Sequence, residues 1–264
     1  MRLLRLPDRT KNVKVPGVVK ARIFNALISN NGLLTDPKTF LCQILEEEDG
    51  IGISNNNFLW ACESEGISDL LLTWHIATSI LEMRQGQQGQ QHRPYLSDDV
   101  IVATHLSRYC AYLVAYVPEL LLPDNDEWCR SLYRAVKKDC TRVLDARAAS
   151  APTDEATSNT RYNKLLSLLQ EPESKPHVVL MNGVKLGNQL VQLRQGEAAA
   201  WRFLAGFWSG MILYIAPSDN LKGHAEAIAR GGELITLVWA LLMNVGIASR
   251  PSSAEGSSAT ADGV

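Results

Sequence analysis

Three histidines lie in stretches of helical period and bound any proton-transfer chemistry in this chain. They are His75 in LLTWHIATSI, His105 in VATHLSRY and His224 in LKGHAEAIARGGE. A histidine serving as general base needs a group that orients its ring and a proton donor within reach. His75 sits beside Trp74 in an apolar run, with no carboxylate three or four residues away. A histidine satisfied in the core is therefore the expected reading. His224 has Glu226 two residues on, which turns that carboxylate to a different helix face. The enzyme alternative is a hydrolase or transferase built on His75 or His224. It requires a nucleophile or carboxylate brought to one of them by the fold.

Other motifs are weaker. The cysteines, Cys42, Cys62, Cys110, Cys129 and Cys140, are odd in number and show no CxxC spacing, so neither a disulfide framework nor a zinc site is expected. HxxxH, GxSxG, the P-loop and a strand-borne GxGxxG do not occur. Gly183, Gly187 and Gly196 are too far apart for a phosphate cradle. Gly231–Gly232 could open a helix and present N–H groups to an anion, but Glu233 would occupy and repel that position. A structural turn is expected there, with Glu233 in the first turn of the next helix. Trp201, Trp208 and Trp239 could line an aromatic pocket, yet at helical spacing they read as core, each indole N–H finding one partner. No catalytic, cofactor-binding or metal-binding residue is assigned.

The elements that would position these residues are helical. In Glu127–Leu144 two rows, Trp128, Leu132, Val136 and Tyr133, Cys140, Val143, Leu144, recur at three- and four-residue spacing. Arg130, Arg134, Lys137, Lys138 and Arg142 fall largely away from them. Ser97 caps a helix running to about Pro118, and others cover Ile67–Met83, Pro37–Glu48, Asn159–Leu169, Gly183–Leu193 and Gly196–Pro217. A shorter helix in SDNLKGHAEAIARGG is capped by Ser218 or Asp219 and closed by Gly231 or Gly232. Val178–Met181 is the best strand signal and is too short to found a sheet. The expected fold class is all-α, a multi-helix bundle with flexible polar loops and a disordered C-terminal tail.

The expected organisation is a basic N-terminal arm over 1–19, a helical domain over 20–248 and a disordered tail over 249–264. Flexible breaks are expected at Arg84–Ser97 and Ala149–Thr160, which are glutamine-, glycine- or small-residue-rich. Arg2, Arg5, Arg9, Lys11, Lys14, Lys20 and Arg22 face only Asp8 at the start. That bias suits a solvated arm, an organellar transit peptide or a segment beside a membrane. A net charge of −2 gives no reason to expect nucleic acid. The uncharged run Leu234–Ile247 is shorter than the about 20 residues of a span, so it is expected to be a buried core helix, with ligand-pocket wall or membrane insertion as alternatives.

Three stretches together resemble a known family: NNFLWACESEGISDLLLTWHIATSILE (Asn56–Glu82), VATHLSRYCAYLVAYVPELLLPDNDEWCRSLYRAVKKD (Val102–Asp139) and Glu197–Ile247. They are similar to domain of unknown function 594, the region that follows domain of unknown function 4220 in a large plant family. KVPGVVKARIFNAL fits the entry to that region. The resemblance implies a helical segment behind several membrane spans, which this sequence lacks, and it carries over no catalytic residue. The resulting expectation is a non-catalytic helical module acting through unknown protein partners. It would sit in the cytoplasm or on the cytoplasmic face of a membrane, with any membrane association peripheral and no cofactor. A small integral membrane protein is the further alternative.

Overall fold

The computed structural model describes residues 4, 6, 13–29, 34–47, 56–64, 66–85, 97–121, 126–145, 154–170, 176–193 and 196–250. Among them every regular element is helical. In chain order these are α1 (Gly17–Ser29), α2 (Pro37–Glu47), α3 (Asn56–Leu59), α4 (Ile67–Gln85), α5 (Asp98–Tyr116) and α6 (Asp126–Asp145). Then follow α7 (Asp154–Ser167), α8 (Val178–Val191), α9 (Glu197–Ile215), α10 (Leu221–Ala229) and α11 (Leu234–Asn244).

α4 is the axis of the bundle. Its residues are buried almost without a break from Ser68 to Leu81, on every face. A helix buried on every face has no solvent side and has to be enclosed by others, its polar side chains such as His75 and Thr78 finding partners inside. α5, α6, α7 and α8 pack against it. α8 comes closest because Gly183 and Gly187, one turn apart, admit the ridge of Ile76 and Ile80. A Cβ at position 183 would lie 2.6 Å from the Ile76 Cβ and 3.1 Å from the Thr73 carbonyl oxygen. These glycines serve packing. We expect Gly183→Val to cost about 3 kcal/mol through overpacking; urea unfolding at wild-type stability would refute that packing.

α9 is the second apolar helix and packs on α1, α2, α5 and α8. Among the described residues it alone is long and apolar enough to cross a membrane, yet Trp201, Phe203, Phe207, Trp208 and Met211 are all buried by its neighbours. Phe40 of α2 lies directly over Gly210, where any side chain would collide with the ring. α6 shows the expected two-sided pattern, burying Cys129, Leu132, Tyr133, Val136 and Cys140. Trp128 departs from it and is exposed, one residue off the buried stripe.

Several boundaries differ from those expected. Val178–Met181 is the first turn of α8, capped by His177, whose Nδ1 accepts from the Val179 N–H at 3.3 Å. Asp154–Thr160, within the expected flexible break, is helical in α7. Gly17–Ser29 is helical from within the segment read as a basic arm, started by Pro16 and buried along Val19, Ile23 and Leu27. α10 is capped by Asn220, not Ser218 or Asp219; the Asn220 Oδ1 accepts from the Gly223 N–H at 2.9 Å. The bulk of the Arg84–Ser97 break, and the tail beyond Arg250, lie outside the described residues. Arg250 itself donates to the carbonyls of Leu121 and Ile215, both at 2.8 Å.

Candidate functional site

α4 and α5 run side by side and bring His75 to Ser107, thirty-two residues away in sequence. The His75 Nδ1 and the Ser107 Oγ are 2.8 Å apart. This is the hydroxyl that a histidine-based hydrolase would need. Two further properties decide what the pair can do. Both residues are buried, and the His75 Nε2 has no hydrogen-bond partner among the described residues. Burial first, and the positive charge of Arg108 second, push the His75 pKa down to about 3. A base that weak takes little of a serine proton, and a substrate has no route to the Oγ. Arg108 is itself held in an ion pair with Glu82. The geometry is that of a core hydrogen bond between two helices.

His224 follows the same pattern where α10 meets α11. Its Nδ1 lies 3.0 Å from the Thr236 Oγ1, joining α10 to α11. Its ring stacks on Trp239 with centroids 4.3 Å apart and planes 9° apart. The Nε2 is again buried without a partner, and burial lowers its pKa. Trp239 completes the contact by donating to the Ser218 carbonyl at 3.0 Å. Trp201 and Trp208 also find one partner each, Glu197 and the Thr78 hydroxyl. Trp201 and Trp208 are in the core, as expected. Trp239 is only half-buried, because α11 has solvent on one side. The three tryptophans do not form one pocket: Trp208 meets Phe207 edge-on while Trp239 is stacked on His224.

The Gly231–Gly232 doublet closes α10. Both glycines have positive φ, at 111° and 86°, where a side chain would be strained. The Gly232 N–H bonds the Ala227 carbonyl at 2.9 Å and the Gly231 N–H bonds that of Ile228 at 3.1 Å, a Schellman closure. Glu233 is then the residue that caps α11, one position earlier than expected, and its carboxylate does not reach the helix's own N–H groups. It accepts from two hydroxyls of α5 instead, Tyr109 at Oε2 and Tyr112 at Oε1, both at 3.1 Å. The Tyr109 oxygen accepts in turn from the Ile235 N–H at 3.0 Å. A tyrosine from another helix therefore caps α11 and passes its polarity to Glu233. Burial and the adjacent Glu233 raise the Tyr109 pKa well above its ordinary value, so the hydroxyl stays a donor.

Removing that oxygen orphans two groups at once. We expect Tyr109→Phe to lower stability by about 1–3 kcal/mol and Glu233→Gln by about 1 kcal/mol. Urea unfolding checks both, and a Tyr109→Phe chain as stable as wild type would show that the cap is not formed.

Elsewhere the chemistry is quiet. Among the described residues no group of three His, Cys, Asp or Glu side chains could share a metal ion. The five thiols are free, and burial raises those of Cys62 and Cys140 to about 12, far from thiolate. A hollow between α2 and α9, bordered by Thr35, Phe40, Met211 and Tyr214, has a volume of about 10 Å³, room for one water.

Sequence reasoning singled out His75, His224 and Glu233 but missed the partners Ser107, Thr236, Tyr109 and Tyr112. The i, i+3 spacing of the two tyrosines was visible; the distant acid that they share was not. Compared with known proteins, residues 193–247 match the family described as Protein of unknown function, DUF594. No curated protein and no solved structure matches the chain.

Proposed function

With residues 193–247 similar to that family as the premise, we propose that the chain is a non-catalytic helical module that works by binding another protein through α11. One observation carries the reading. α11 has no charged residue from Leu234 to Ile247, and it buries only one side, through Leu234, Ile235, Thr236, Val238 and Leu242. Leu237 and Val245 stand 59% and 55% exposed on the other, with Leu221 and Ile228 exposed on α10. The buried core helix expected from the apolar run is thus half of one. The uncharged outer side fits an apolar protein surface, since burying it leaves no charge without a partner.

The resemblance extends the proposal to a plant protein of the kind that follows spans of the 4220 type, on the cytoplasmic side of a membrane. A photo-crosslinking amino acid at position 237 tests the binding surface, with exposed Lys222 of α10 as the control position. The expected result is one protein crosslinked from 237 but not from 222. That protein, once purified, should bind the wild-type chain and lose binding to Leu237→Asp. No crosslink from 237, or equal crosslinks from both positions, would overturn the reading.

The enzyme reading keeps one observation in its favour, the hydroxyl within hydrogen-bond distance of each of His75 and His224. A fluorophosphonate probe separates the two. Labelling of Ser107 would replace the binding module with a hydrolase.

A further inference from the structure

α1 has two apolar faces and needs only one for the fold. Val19, Ile23 and Leu27 point into the bundle against α5 and α9. On the opposite side Gly17, Ala21, Phe24 and Ile28 recur at helical spacing, with Phe24 51% and Ile28 57% exposed. Val13, just ahead of the helix, is 55% exposed, and Lys14 and Lys20 beside it are exposed as well. One exposed apolar side chain is ordinary, but a row of them along a single helix marks a surface that meets something apolar.

Charge decides what that is. From Arg9 to Thr35 the sequence holds five basic residues and no acid. Arg22 leans inward to Asp99, 3.7 Å away, at the start of α5. Among the described residues Lys14 and Lys20 enter no ion pair, so their charge is directed outward with Phe24 and Ile28. An outer row of aromatic and aliphatic residues flanked by lysine is what a helix lying in a lipid interface requires. The contrast with α11 is instructive, since its outer side has no basic residue between Leu234 and Ile247 and is suited to an apolar protein surface.

We propose that α1 docks the chain onto an anionic lipid bilayer. Phe24 and Ile28 enter the boundary between headgroups and acyl chains, Gly17 and Ala21 let the helix lie close, and Lys14 and Lys20 meet the negative headgroups. Docking is peripheral and needs no part of α9 or α11 to insert. It does not depend on α11 binding a protein.

The test is sedimentation of the full chain with vesicles of phosphatidylcholine alone and of phosphatidylcholine with phosphatidylserine at roughly 2:1. Binding is expected to the mixed vesicles only, weakening as salt shortens the screening length. Each of Lys14→Ala and Lys20→Ala should weaken it about fivefold, the effect of one basic residue near an anionic surface. Phe24→Ser with Ile28→Ser should abolish it, while circular dichroism stays unchanged because both positions are exposed. A Phe24→Trp chain should show blue-shifted emission on the mixed vesicles. No sedimentation with the mixed vesicles overturns the proposal. So does binding that survives the α1 changes, or binding lost with Leu237→Asp instead. A vesicle-free dimer dissolved by Phe24→Ser would assign the face to a second copy of the chain, also overturning it. Apart from the Leu237→Asp outcome, which would turn the outer side of α11 to lipid, none of these failures bears on the crosslink from position 237.

Discussion

Acidification from pH 6.5 to pH 3 is expected to remove roughly 4–5 kcal/mol of stability through His75 alone. The folded chain holds this imidazole neutral down to about pH 3, because burial between α4 and α5 disfavours the charged ring and Arg108 repels it. Once unfolded, the ring titrates near its ordinary 6.5. Below that value the unfolded chain binds a proton that the fold refuses, so stability falls with pH across the window and is fully present above it. About 3.5 pH units at about 1.4 kcal/mol each gives the figure. His224 and His105 are shifted down by burial and act in the same direction. Glu82, raised by burial, opposes them. The decisive comparison is His75→Asn, which can keep a hydrogen bond to Ser107 but cannot titrate. Urea unfolding at pH 7 and pH 4 should show the wild type losing about 3 kcal/mol more than the variant. Equal losses would mean that His75 is accessible to protons in the folded chain, and the sealed-core account of the His75–Ser107 pair would fall with it.

Trp208→Ala should cost about 3–5 kcal/mol, the range for emptying a large aromatic site in a core. The indole is buried where α9 meets α4, donates to the Thr78 hydroxyl at 3.0 Å and meets Phe207 edge-on at 5.5 Å. Thr78 donates onward to the Trp74 carbonyl at 2.8 Å, so the loss reaches the axis helix. Trp239→Ala, read from the sequence as core like Trp201 and Trp208, should cost clearly less, since its ring is only half-buried and is held by the stack on His224 and one bond to the Ser218 carbonyl. Thermal melts of the two variants rank them. A Trp239→Ala chain melting as early as Trp208→Ala would show that α11 is anchored far more firmly than its exposed side indicates.

These two cases show what could be read in advance. Ser97 ahead of two aspartates announced α5, and its hydroxyl does accept from the Val100 N–H. The alternation of arginine and lysine with leucine, valine and cysteine announced α6. The unbroken run around His75 announced burial. Such features depend on residues within a few turns of one another. α1 was hidden because both of its sides are apolar or basic, leaving no polar stripe to contrast with a core stripe. Val178–Met181 looked like a strand because β-branched residues head it, and only the His177 cap and the glycines behind it make it a helix. α11 was legible as apolar, but how much of it is covered depends on where α9 and α10 end. The Glu233 cluster was out of reach for a different reason: Tyr109 and Tyr112 lie more than a hundred residues earlier, and no local pattern ties a hydroxyl to a distant acid.

The enclosure of α9 has a consequence for how this region can travel in evolution. The stretch 193–247 begins just after α8 and contains α9, α10 and α11, whereas α1, α2, α5 and α8, which cover α9, all lie before it. Even the cap of α11 comes from outside, from the Tyr109 oxygen that accepts from the Ile235 N–H. The segment that sequence comparison delimits is therefore not a portable folding unit. A gene rearrangement that carried it alone into another protein would expose Phe207, Trp208 and Met211 to water. It could be inherited intact only with the earlier helices, or beside a host surface that replaces them.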